Sequence, residues 1–142
     1  MTDEIMKGIS RKLKLTFGED FEVYFSKDVR QGLKEPAFFI AWLASTQRRM
    51  IDARWELRNS FDVHYFPRED GSNTEMVQIG RRLFEELEFV ELLNGDLVHG
   101  SEMRQETVDG VLHFFVDYNM FLMRPSDETP METMDLTQLT TE

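Results

Sequence analysis

The sequence has no cysteine, which excludes disulfides, thiolate nucleophiles and Cys-based zinc sites. Long apolar runs are missing too. The longest, Ala37 to Ala44, falls far short of the roughly 20 residues a membrane-spanning helix needs. The opening MTDEIMKGIS carries acids where a secretory signal has bases and an apolar stretch, so synthesis in the cytoplasm is expected. Basic residues are few, 16 Lys and Arg against 27 Asp and Glu, for a net charge of -11. Phosphate contacts need clustered bases, so specific nucleic-acid binding is disfavoured, and so is attachment to anionic membranes. G-x-G-x-x-G, the Walker loop, G-x-S-x-G and H-E-x-x-H are all missing. Without them no catalytic role and no cofactor is expected.

What the chain does have is enough length for one core. A domain of 142 residues buries roughly two-thirds of the surface its unfolded chain exposes. The acidity is unevenly spread. The last 18 residues, from Pro125, contain no Lys or Arg and hold five acids, Asp127, Glu128, Glu132, Asp135 and Glu142. That leaves 22 acids against 16 bases, a net charge of -6, on residues 1–124. The expected organisation is an α+β domain over 1–124 followed by an acidic, disordered tail over 125–142.

Ile5, Ile9 and Leu13, with Met6 and Phe17, recur at helical spacing between a capping Asp3 and a terminating Gly18, which predicts an N-terminal helix. FEVYFS then alternates as a strand does, and KDVRQGLKEP reads as a loop. Ala37 to Ala44 is apolar on both faces, the pattern of a central strand covered on both sides. STQR can turn the chain back, after which the odd positions from Ile51 to Tyr65 are apolar apart from Asn59, where a bulge is plausible. Ser72 and Glu75 form a capping box before Met76, Ile79, Leu83 and Leu87, a second helix whose Gly80 can let a strand approach. Asn94-Gly95 and Asp109-Gly110 both signal two-residue type I′ hairpins. The second sets a register: Val108 opposite Val111, Glu106 opposite His113, Met103 opposite Val116. It also puts Leu112, Phe114, Val116, Tyr118, Met120 and Leu122 on one core face. The order of elements implies an α+β fold, a mostly antiparallel sheet with two flanking helices in a single domain.

The three histidines are the natural candidates for a base or a metal ligand. Asp62 and His64, two apart on a strand, lie about 6 to 7 Å apart at their Cα atoms and can share a metal or hydrogen-bond. A third ligand is not apparent. His113 and Asp117, four apart, are separated by about 13 Å, too far for one ion. Structural roles are therefore preferred for His64, His99 and His113, and no metal site is assigned. Glu85, Glu86, Glu88 and Glu91 read as a solvated face rather than a glycosidase-like pair. Phe115, Phe121 and Met123 lie opposite the core face of the last strand. With only two helices to cover a sheet, they are the candidate assembly interface.

The segments QGLKEPAFFI (Gln31 to Ile40), SFDVHYFP (Ser60 to Pro67) and VDGVLHFFVDYNMFL (Val108 to Leu122), with the helix and NGD turn between them, resemble a family of small tail-terminator proteins of phages and prophages. The resemblance runs from the N-terminal helix to about Arg124 and leaves the tail outside. It implies an α+β structural protein of the virion neck, made in the bacterial host cytoplasm. Such a protein forms a homo-oligomeric ring, commonly hexameric, that caps the tail tube, ends its polymerisation and offers a docking surface to the head. The implied partners are the tail-tube protein and a head-connector protein. The competing reading from charge alone is an acidic protein-binding module, an inhibitor or DNA mimic acting on a basic partner.

Overall fold

In the computed structural model, which describes residues 2–25, 36–68 and 73–123, the first element is helix α1, Thr2–Phe17. Its apolar stripe is buried at Ile5, Ile9 and Leu13, and acids occupy its positive end at Asp3 and Glu4. Asp3, expected as the cap, lies inside the first turn. The Gly18 N–H donates to the Lys14 carbonyl at 3.0 Å and closes the helix as expected. Strands β1 (Glu22–Phe25), β2 (Ala37–Arg49) and β3 (Arg54–Phe66), helix α2 (Asn73–Glu86), and strands β4 (Phe89–Glu91), β5 (Leu97–Val108) and β6 (Val111–Met123) follow. The strands make one six-stranded sheet in the order β1-β2-β3-β6-β5-β4. It is mostly antiparallel, with β1 parallel to β2, and the fold is α+β. The described residues within 2–45 and 58–119 form one compact unit, and residues 46–57 with 120–123 another. The expected tail, residues 27–35 of the expected loop and Ser72 of the capping box lie outside the described residues.

In the larger unit the core is aromatic. Phe17 of α1 meets Phe38 of β2 at 5.0 Å between ring centroids, Phe38 meets Tyr65 of β3 at 5.0 Å, and Phe84 of α2 meets Phe114 of β6 edge-on at 5.0 Å. Each large side chain fully withdrawn from water contributes about 1.5 to 3 kcal/mol. Leu112, Phe114, Val116 and Tyr118 are all buried, as their alternation predicts. Both described helices therefore pack on one face of the sheet. The other face carries Phe39, Asp62, His64, His113 and Phe115, and among the described residues no helix lies over it.

That one-sidedness corrects the reading of Ala37 to Ala44 as covered on both sides. Ala37, Phe38 and Ile40 are buried, but every residue of β2 from Trp42 to Arg49 is exposed. The turn after β2 is also displaced. S-T-Q-R stays within β2, and the reversal falls at Asp52 and Ala53, whose φ of 63° and 60° define a type I′ turn. Asn59 lies within the continuous strand β3. It is buried and accepts hydrogen bonds from Thr2 Oγ1 at 3.1 Å and Ser45 Oγ at 2.6 Å.

The Asp109-Gly110 turn is type I′, with φ of 52° and 77°, and the register from Val108↔Val111 to Arg104↔Phe115 is the expected one. It slips between Arg104 and Ser101, so Met103 does not simply face Val116. Glu102, at φ 53°, is the extra residue of a β-bulge. At Asn94-Gly95 only Gly95 has positive φ. The Gly95 N–H returns to the Leu92 carbonyl at 2.9 Å and the Leu92 N–H to the Asp96 carbonyl at 2.7 Å, a three-residue hairpin rather than the expected two. Gly80 takes the Gln105 side chain of β5 against α2, as the strand-approach reading implied.

Gly8 does the same for α1. A Cβ there would sit 2.7 Å from Val90 Cγ1 and 3.0 Å from the Glu91 carbonyl oxygen, so β4 lies against the bare helix backbone. Gly8→Val should destabilise the protein by about 1 to 3 kcal/mol in urea unfolding, through overpacking, even though valine is the better helix former.

Tyr118 is fully buried and donates to the Leu87 carbonyl at 2.6 Å. Burial holds it neutral far above the usual tyrosine range. Tyr65 is raised in the same direction by burial and by its bond to Glu75. Since the folded values lie above the unfolded one, the stability these phenols provide is complete below about pH 10 and is lost as pH rises beyond it. Tyr118→Phe should cost about 1 to 3 kcal/mol at neutral pH by orphaning the carbonyl. It should also make the alkaline fall in stability shallower, which urea melts across pH will read.

Candidate functional site

Strand alternation decides which polar side chains meet on the uncovered face. β3 sends Asp62 and His64 there, and β6 beside it sends His113. His64 Nε2 and His113 Nδ1 each lie 2.9 Å from the same oxygen, Asp62 Oδ2. The two rings are 4.4 Å apart between centroids. A carboxylate only accepts, so this geometry fixes His64 with its proton on Nε2 and His113 with its proton on Nδ1. Both imidazoles are 20% exposed, whereas the Asp62 side chain is 8% exposed. Its other oxygen, Oδ1, is buried with no hydrogen-bond partner.

Burial alone would raise the Asp62 carboxyl. The hydrogen bonds from His64 and His113, followed by their charge, outweigh it and hold the group below the usual carboxylate range. Aromatic rings wall the cluster: Phe39 stands edge-on to His64 at 5.3 Å, and Phe115 lies parallel to His113 at 6.2 Å. The ligand atoms of the three residues all lie within 4.8 Å of one another.

The pairing of Asp62 with His64 was legible in sequence, and the third member was not. His113 does not reach towards Asp117, which pairs with Ser101 across β5. It joins Asp62 because β6 sits next to β3, a neighbour relation that no local pattern encodes. His99 stands elsewhere, exposed, 3.4 Å from Glu88 and stacked on Phe89. Of the acidic side chains near α2, Glu86 meets Thr16 and Arg82, and Glu85 and Glu91 are exposed.

The three expected interface residues divide. Phe115 is half-buried under the Arg104 guanidinium, 4.1 Å from its ring centroid. Phe121 and Met123 share a face at the end of β6 and are 58% and 70% exposed. The unit that contains them also exposes Ile51. Among the described residues no helix is long and apolar enough to cross a membrane.

A family model described as phage tail terminator protein matches residues 4–130, six residues further than the block-by-block resemblance reached. No curated protein matches the chain. One solved structure aligns over 89% of this chain and 99% of its own at 17% identity, with a TM-score of 0.45, too low to carry an argument.

If Asp62 Oδ2 holds the two imidazoles together, Asp62→Ala should lower stability by about 1 to 3 kcal/mol, the cost of leaving buried donors unmatched. His99→Ala, at an exposed pair, should change it by under about 0.5 kcal/mol. Urea unfolding of the two variants at neutral pH separates these outcomes.

Proposed function

Because the chain belongs to the phage tail terminator family, we propose that it assembles as a ring, hexameric as such rings commonly are, on the end of the completed tail tube. There it stops polymerisation and presents the surface to which the head connector docks. The family places the protein as a structural component of the phage tail, and this reading puts it at the neck end of the virion after synthesis in the host cytoplasm. The role asks for no catalysis. It asks for a surface that joins copies to one another and to the tube.

The observation that carries the reading is the exposed apolar pair Phe121 and Met123. Large apolar side chains left in water at a strand end are worth burying, and aromatic and Met side chains are enriched at the centres of interfaces. An ordinary interface buries about 800 Å² per partner, so these side chains supply its centre and not its whole extent. The net charge of -6 on residues 1–124 suits a ring around passing DNA, since like charge keeps phosphates from sticking.

The protein mixed with tail-tube protein should give a ring by light scattering and electron microscopy. A monomer alone under those conditions would sink the proposal. Phe121→Asp combined with Met123→Asp should abolish the ring while leaving the circular dichroism spectrum unchanged. A phage lacking the gene should make overlong tails, and tails of normal length without heads would confine the protein to the joining step.

A further inference from the structure

Ring assembly leaves the Asp62, His64 and His113 cluster without a task. Three features set it apart from an ordinary polar contact. The donor set, two imidazole nitrogens and a carboxylate oxygen, is the one that borderline divalent metals such as zinc favour. The three ligand atoms lie within 4.8 Å of one another, each imidazole nitrogen 2.9 Å from Asp62 Oδ2, so small side-chain shifts bring all three onto the roughly 3.3 Å edges of a tetrahedron built on bonds of about 2.0 to 2.1 Å. The Asp62 residue is 6% exposed, yet its Oδ1 has no hydrogen-bond partner, although a buried carboxylate oxygen ordinarily acquires one.

We propose that Asp62, His64 and His113 form a binding site for one divalent transition-metal ion of the zinc type, with His64 Nε2, His113 Nδ1 and the Asp62 carboxylate as its ligands. On binding, each neutral ring keeps one N–H: His64 carries its proton on Nδ1 and His113 on Nε2, the exchange running through solvent, so that the nitrogens now bonded to Asp62 present lone pairs to the ion. Three protein ligands leave a fourth position, and the 20% exposure of each imidazole gives the ion a route from solvent. Phe39 and Phe115 exclude water from the flanks and hold the rings in place. Bound there, the ion ties β3 to β6, strands whose ligands are 51 residues apart in sequence, and so acts as a staple rather than a catalyst. This inference is independent of the ring reading.

Titration of the metal-free full chain with zinc chloride at neutral pH, followed by calorimetry, should show one ion per chain. Cobalt(II) in its place should give the visible absorption of a tetrahedral centre. His64→Gln and His113→Gln should each weaken zinc binding by more than about tenfold, the least that losing even an outer partner costs a metal site. His99→Gln should leave binding unchanged. Absence of zinc binding to the wild type, or equal affinity in the His64 and His113 variants, would overturn the proposal. Ring-nitrogen chemical shifts of the wild type need no variant to fold. Zinc should move His64 Nε2 and His113 Nδ1, and shifts confined to His99 would also overturn it.

Discussion

Everything else in the structure depends on the placement of β6 between β3 and β5. The hairpin with β5 is local and forms around a two-residue turn, but the contact with β3 joins segments about fifty residues apart. Closing so long a loop costs only a little more than closing a short one. The apolar alternation of Leu112, Phe114, Val116 and Tyr118 supplies the compensating burial. Once β6 is seated, its even residues complete the core beneath the helices, and its odd residues have nowhere to go but the opposite face. One pairing therefore determines both the hydrophobic centre and the polar cluster.

What could be read in the sequence follows the range of the physics involved. The 109–110 turn was legible because positive φ at two residues selects Asp-Gly, and the register next to it followed by counting. The bulge at Glu102 was not, because glutamate carries no preference for positive φ and only the demands of the two flanking registers put it there. The same holds for Ala53 in the β2–β3 turn, where pairing overrides a residue preference. The helices could be placed from their buried stripes, but not on the same side of the sheet. In the cluster, each residue could be assigned to the outward face of its strand. Their meeting required knowing which strands are neighbours.

The one-sided layering divides the labour between the two faces. The covered face provides stability through aromatic packing, and its residues tolerate little change. The uncovered face holds Asp62 almost entirely out of water with no described helix above it, because imidazole and phenyl rings take the helix's place. A carboxylate sheltered in this way keeps its charge through hydrogen bonds rather than through solvation. Exposed apolar side chains elsewhere, Phe121 and Met123 among them, have no such shelter.

The short strand at one border of the sheet has a separate consequence. β4 is three residues long, its neighbour α1 lies against it through the bare backbone of Gly8, and the Glu91 carbonyl already accepts from Arg11 at 3.1 Å. The Glu91 carbonyl is thereby taken and cannot template a further strand. Growth by adding backbone to backbone continues indefinitely once begun, since each added strand renews the rim. A border that is short and partly taken leaves joining to side chains, whose geometry can specify a finite number of copies.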